Sequence, residues 1–344
     1  MPLPQHPPAP GPPTMRDIAE RVGVSTVTVS AVLSASAGNH TKVAEATRQR
    51  ILDAARELNY TPNGLAKMFR QRRTDTVGLY LGDWLLNTHD LFLAEIVSGL
   101  QIGCHEHGKD LLLHGPSRQR SVDDLSLELT NRKIDGLIMF TREDDPLAAR
   151  LASSALPVVA ITDAVPSLPS VVADDAGGSR LIAEYLAARG HKRILYRRGH
   201  PQQTSAHRRY DAFREASARL GISVVEDSNR IKEFDFALSA GEQTILGQSR
   251  AARPTAIVCG NDLLAYATFD YCREQGLHVP TDFAIVGFDG IVPQVRPAAR
   301  LTTVRAPWSE VAQTALGLVV RGLAGETLPR ETVLPVSLVI GETA

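Results

Sequence analysis

The stretch Met15 to Leu33, MRDIAERVGVSTVTVSAVL, decides how the start of the chain is read. Its apolar positions Ile18, Ala19, Val22, Val24, Val29 and Val32 share one face if two helices meet at Gly23. Glycine permits the tight turn, the small Ala19 lets the helices approach, and Ser25 is placed to cap the second helix. Thr14 is a good cap for the first. A third helix, Glu45 to Leu58, buries Ile51, Ala55 and Leu58 and braces the other two. The result is a three-helix helix-turn-helix unit over residues 14–60. Any small three-helix bundle also needs an alanine and a glycine at a corner, so charge has to help decide.

The whole chain, 344 residues, has a net charge of −1, but residues 14–73 hold 10 Lys and Arg against 5 Asp and Glu. That segment is therefore +5 and the remainder −6. A small basic module on an acidic body is the asymmetry expected when one end meets phosphates and the other must not. Residues Thr26, Val27, Thr28, Ser30 and Ala31 project outward from the second helix. Hydroxyls at helix starts, including Thr14 and Ser25, can hold phosphates at the positive end of a helix dipole. No Arg, Gln or Asn points from this face, so bidentate reading of guanine or adenine is not available to it. Contacts between thymine methyls and Thr26 or Val27 are expected, with weak readout opposite Ala31. His40 and Lys42, in the polar loop Ser34 to Lys42, are candidates for phosphate contact; a merely solvated loop is the other reading.

Residues 1–13, MPLPQHPPAPGPP, are too proline-rich to build a core and read as a disordered tail. From Thr76 onward, short β-branched or apolar runs alternate with amphipathic stretches. The runs are Thr76 to Leu81, Asp110 to Leu113, Gly136 to Phe140, Pro157 to Thr162, Arg193 to Tyr196, Thr255 to Cys259 and Phe283 to Gly287. Helix-length segments such as Leu93 to His107, Gly178 to Arg189, Arg209 to Leu220 and Leu263 to Gln275 separate them. This βα repetition signals an α/β body of parallel sheets with helices on both faces. It is too long for one such sheet of usual size, so two lobes facing across a cleft are expected, with a ligand outside the carboxyl ends of the strands.

The sequence resembles the lactose-repressor (LacI/GalR) family of bacterial regulators. The matching pieces are TMRDIAERVGVSTVTVS, ATRQRILDAARELNYTPNGLAK, RTDTVGLYLGD, RKIDGLIMF, LPVVAIT, RGHKRILY, CGNDLLAYATFDYCREQGLHVPTDFAIVGFDG and LTTV, in order along nearly the whole chain. The resemblance implies a homodimer whose headpieces straddle a pseudopalindromic operator, and a two-lobed, doubly wound, type I periplasmic-binding-protein-like body over residues 75–344. The first lobe is placed at about 75–165 and 304–331, the second at about 166–303 and 332–344. Residues 61–74 form the hinge and linker, helical on DNA from Pro62 to Phe69. Asn63, Lys67, Phe69 and Arg70 are its DNA-contact candidates, with Arg72 and Arg73 adding phosphate contacts. Phe69 stands where relatives carry a wedging leucine; packing against its dimer mate is the alternative.

In the body the resemblance assigns Arg209, Asn261 and Asp289 to ligand contact. Asp163 is a fourth candidate, Phe236 a stacking aromatic, and Phe92 and Leu93 line the other lobe. A polar fork, an amide and carboxylates around an aromatic platform suit a sugar or nucleoside-like effector. For Arg209 the plainer reading is a surface pair with Asp211 or Glu215, and for Asp163 and Asn261 it is helix capping. The sequence departs from the family in its longer loop Ser34 to Lys42, in Ala31 and in Gly290. It has no leucine-heptad tail after IGETA.

Other classes find less support. There is no P-loop, GxSxG elbow, GxGxxG or HExxH, so no enzyme and no cofactor is expected. Three scattered cysteines suggest neither disulfides nor zinc. In Cys104-His105-Glu106-His107 the two histidines fall on different helix faces, which disfavours a metal site. A transport-type solute-binding protein would share the body but would need a signal peptide and no DNA headpiece. With no apolar run long enough to span a membrane and no basic-then-apolar leader, the expected location is the cytoplasm.

Overall fold

A computed structural model describes residues 12–33, 43–62, 64, 68, 73–82, 90–115, 121–227, 236–291 and 299–344. The chain divides into two compact units, residues 1–73 and 74–344.

The first unit holds α1 (Met15–Val22), α2 (Thr26–Leu33) and α3 (Glu45–Glu57). Thr14 opens α1 with a reciprocal cap: its backbone N–H donates to Asp17 Oδ2 at 2.6 Å, while the Asp17 N–H donates to Thr14 Oγ1 at 3.4 Å. Gly23 ends the helix at φ 72°, a left-handed conformation in which a side chain is strained. Ser25 Oγ accepts from the Thr28 N–H at 3.1 Å, capping α2 as the spacing predicts. Ile18, Ala19, Val22, Val29, Val32, Ile51, Ala54 and Ala55 form the core, with Val24 and Leu58 partly buried at its edge. Arg50 Nη2 donates to the Val22 carbonyl at 2.7 Å, tying α3 to the exposed end of α1.

The second unit contains two six-stranded sheets. In chain order its strands are β1 (Thr76–Tyr80), β2 (Asp110–His114), β3 (Gly136–Phe140), β4 (Val158–Ile161), β5 (Ser170–Ala173), β6 (Arg193–Arg197), β7 (Ser223–Val225), β8 (Ala256–Cys259), β9 (Ala284–Asp289), β10 (Thr302–Arg305), β11 (Glu331–Leu334) and β12 (Ser337–Val339). The first sheet runs β11-β5-β4-β3-β1-β2 and is wholly parallel. The second runs β12-β10-β9-β8-β6-β7, parallel except for β12. The helices are α4 (Leu91–His107), α5 (Val122–Leu129), α6 (Pro146–Ala152), α7 (Asp175–Ala188), α8 (Thr204–Arg219), α9 (Ala240–Leu246), α10 (Asp262–Glu274) and α11 (Trp308–Leu323). Most begin at a side-chain cap: Asp90, Ser121, Asp145, Asp174, Ser239 and Asn261 each accept a first-turn N–H.

All seven expected strands form, but the lobe boundaries move. β5 and β11 pair with each other in the first sheet and β10 lies in the second. Residues 166–173 and 332–334 therefore belong to the first lobe, and Val304 and Arg305 to the second. A buried strand has the same composition in either sheet, so pairing alone sets these limits. α4 and α11 pack closely in the first lobe. A methyl added at Gly99 would meet the Ser309 carbonyl oxygen of α11, so only glycine fits this crossing.

Candidate functional site: a recognition helix and an effector cleft

On the first unit, Ser25 and, from α2, Thr26 and Val27 face solvent, with Thr28, Ser30 and Ala31 half-buried beside them. Val27 is 71% exposed, unusual for a large aliphatic side chain and suited to a partner's methyl groups. Thr28 Oγ1 lies 2.8 Å from Ser25 Oγ, so these hydroxyls serve the helix start. Thr14 is likewise engaged by Asp17. His40, Lys42, Asn63, Lys67, Phe69 and Arg70 lie outside the described residues.

In the second unit, the ends of β4 and β9 and the starts of α7, α8 and α10 converge on Arg209. This side chain turns inward from α8 and is 6% exposed. Its Nε donates to Asp175 Oδ1 at 2.7 Å; its Nη1 donates to the Gly260 carbonyl at 2.7 Å and to Asp289 Oδ1 at 3.2 Å. The guanidinium carbon sits 3.7 Å from the centre of the Phe288 ring. Arg209 thus rejects the surface reading: Asp211 and Glu215 face Arg214 and Arg219 instead. Burial pushes the Asp289 carboxyl up to about 8 against the pull of Arg209, and its backbone holds φ 124°.

Asp163 stands two residues beyond β4, in the first lobe, yet its Oδ1 accepts the Ser205 N–H of α8 at 2.7 Å. Burial pushes its pKa up while the bonds to Ser205 oppose that. It both caps and bridges, holding the helix that carries Arg209. Asn261 also caps: its Oδ1 accepts the Leu264 N–H at 2.8 Å, which uses one of the oxygen's two lone pairs and fixes the direction of the NH₂. Phe236 is half-buried, and its carbonyl accepts Arg197 Nη2 at 3.1 Å. Phe92 packs edge-on against Trp308, ring centres 4.9 Å apart, and against Phe140 at 6.2 Å. Leu93 does not line the cleft. It is 0% exposed in the core with Ile96 and Leu100, one helical step round from Phe92.

Sequence reasoning missed Asp175, Asp262 and Trp308. Asp175 follows Asp174, whose Oδ1 caps α7 through the Gly177 N–H at 2.7 Å, so the second member of the doublet was available for Arg209. Asp262 accepts Thr303 Oγ1 at 2.5 Å and the Ile291 N–H at 2.7 Å, fixing the loop after Asp289. Burial pushes both carboxyls up to about 6. The Trp308 indole N–H is buried without a partner among the described residues. Three further polar contacts join the lobes: Arg208 to Glu331 at 2.5 and 3.0 Å, Arg142 to Gln202 at 2.8 Å, and Arg305 to Glu95 at 2.9 Å.

A helix-turn-helix unit with a bare reading helix, followed by two sheets that close on a buried polar cluster, defines a ligand-responsive DNA-binding regulator. Residues 14–63 match the model of bacterial regulatory proteins of the lacI family, and residues 183–344 match a periplasmic binding protein-like domain. The HTH-type transcriptional repressor PurR of Photobacterium profundum is 32% identical over 322 residues, covering 89% of this chain and 90% of that protein. The ribose operon repressor of Escherichia coli (strain K12) is 28% identical over 335 residues, 92% of this chain and 95% of its own. Among solved structures, the lac repressor dimer bound to operator and the anti-inducer ONPF superposes with a TM-score of 0.80 at 25% identity, covering 97% of this chain and 99% of that one. The complex of the transcriptional regulator CelR with cellobiose gives 0.65 at 26% identity, covering 96% and 100%. The chain belongs to the lacI family of bacterial regulatory proteins. No helix among the described residues is long and apolar enough to cross a membrane.

Proposed function

We propose that this protein is a transcriptional repressor, not an enzyme, that acts in the cytoplasm as a homodimer on a pseudopalindromic operator. In this reading Thr26 and Val27 read base edges from α2, while Thr14, Ser25, Thr28, Ser30 and Ala31 lie along the same contact. The hinge candidates Asn63, Lys67, Phe69 and Arg70, with His40 and Lys42, supply contacts to phosphate and minor groove. The effector is a small polyhydroxylated molecule, a sugar or nucleoside, bound by Arg209, Asp289, the Asn261 amide and Asp163 against Phe236 and Phe92.

The observation that carries this reading is the double role of α8. Its inward face holds Arg209, its N-terminus is held by Asp163 of the other lobe, and Arg208 beside it pairs with Glu331 of the first sheet. A ligand that competes for Arg209 or Asp163 acts directly on the contacts that fix the interlobe angle, and so on the spacing of paired hinges. The ribose operon repressor and the complex of CelR with cellobiose, among the similar proteins, favour the same reading. The test is a thermal-shift screen of the purified protein against sugars and nucleosides, followed by operator binding with each hit. A ligand selective for the native state raises the melting temperature and alters operator affinity. Hits that stabilise the body yet leave operator affinity untouched count against effector control.

A further inference from the structure

Among the described residues around Arg209, carboxylates outnumber cations. Asp163, Asp175, Asp262 and Asp289 surround one guanidinium, Arg209, which already serves two of them. Among the described residues the neighbouring arginines pair elsewhere: Arg208 with Glu331, although its charge still attracts Asp163 and Asp175, and Arg305 with Glu95 and the Gly290 carbonyl. Asp262 has a donor on each oxygen, and Asp163 is held by Ser205. Asp175 differs. It is 3% exposed, its Oδ1 takes Arg209, and its Oδ2 is buried with no hydrogen-bond partner among the described residues. A buried carboxylate oxygen without a donor is costly, and the cost is removed when a ligand supplies one.

An added phosphate or carboxylate meets the opposite situation. It would share one guanidinium with the Asp175 carboxylate and with the Asp289 carboxyl, whose ionisation burial already opposes, in a setting where like charges repel strongly. The direction of the carboxyl pKa values is consistent with this: all four are pushed up, chiefly by burial, with repulsion from a neighbouring carboxylate adding for Asp175 and Asp289.

Resting on the assignment of this cleft as the effector site, we propose that the effector carries no anionic group and bears a basic amine, as in an amino sugar, whose ammonium donates to Asp175 Oδ2 beside Asp289. The ammonium brings both the missing donor and the missing positive charge; a hydroxyl brings only the donor. The class is set by charge and donor count, independently of which sugar skeleton fits between Phe236 and Phe92.

The test uses the full-length protein and matched triplets: glucose, glucosamine and glucose 6-phosphate; the galactose and mannose counterparts; and adenosine, 3′-amino-3′-deoxyadenosine and adenosine monophosphate. Binding is measured by thermal shift and calorimetry. In any triplet that binds, the amine is expected to bind about tenfold tighter than its parent, and the phosphate more than tenfold weaker. Asp175→Asn should shrink the amine-to-parent ratio toward one, which a purely structural loss cannot do because it weakens both alike. Asp289→Asn carries the same comparison if the first variant does not fold. The proposal is overturned by a phosphate that binds as tightly as its parent, by an amine with no advantage, by a ratio that survives both substitutions, or by the absence of binding in every triplet. A phosphorylated compound that binds and changes operator affinity would overturn the charge assignment while leaving effector control of DNA binding intact.

Discussion

Replacing Asp289 by asparagine should change how stability depends on pH, and the structure gives the size and sign. The carboxyl has an ordinary value of 3.8 and is pushed up to about 8, chiefly by burial, with Asp262 and Asp175 adding repulsion and Arg209 opposing. Between these values the folded protein keeps a proton that the unfolded chain gives up. Stability is therefore fully present below about pH 4 and is lost as pH rises toward 8, at up to about 1.4 kcal/mol per pH unit. Asp175 and Asp262, pushed up to about 6, add losses of the same sign, but these are nearly complete by pH 6. From pH 6 to 8 the slope belongs mainly to Asp289, a difference of about 1–3 kcal/mol over the interval. An amide cannot ionise, tolerates the same positive φ and can still accept from Arg209. Burial lowers the pKa values of His114 and His191, but they titrate alike in both proteins and cancel in the difference. Urea unfolding of wild type and Asp289→Asn at pH 6, 7 and 8 measures that difference. The variant should gain steadily on the wild type as pH rises; a constant difference would refute the account of the cluster.

Four further outcomes can be checked alongside. Ile51→Ala removes a fully buried side chain from the first unit and should cost about 2–5 kcal/mol, abolishing operator binding while calorimetry still detects the effector. Gly99→Ala, which drives a methyl into the Ser309 carbonyl, should cost about 1–3 kcal/mol and lower the melting temperature of the second unit. Arg208→Ala should shift operator affinity a few-fold, about 1 kcal/mol for a half-exposed pair, and exchanging the charges in Arg208→Glu/Glu331→Arg should restore it in a binding titration. Val27→Ser should weaken operator binding about five- to tenfold on thymine-containing DNA and much less on the same site carrying uracil, roughly one methyl contact of about 1 kcal/mol.

The first unit was legible because its determinants are local. Thr14, Gly23 and Ser25 act on residues within one turn, so spacing alone identified both caps and the corner. The strands of the body were legible for the same reason, since each is a short apolar run between turn signals. Their sheet membership was not: β5 pairs with β11, some 160 residues later, and nothing within either run records the partner. Arg209, Asp289 and Asp163 were found through family motifs, whereas Asp175 joins Arg209 across 34 residues and looked like one half of a capping doublet. Leu93 was misplaced although its spacing to Ile96 and Leu100 marks the core face; adjacency to Phe92 was the wrong guide.

The proposed function requires that effector in the cleft and operator on α2 be coupled through the interlobe contacts of α8. Operator affinity of the dimer, titrated by fluorescence anisotropy with and without saturating effector, tests it most directly. A change of about 5–150-fold is expected, and the same factor in effector affinity when operator is added first. Equal operator affinity at saturating effector would contradict it.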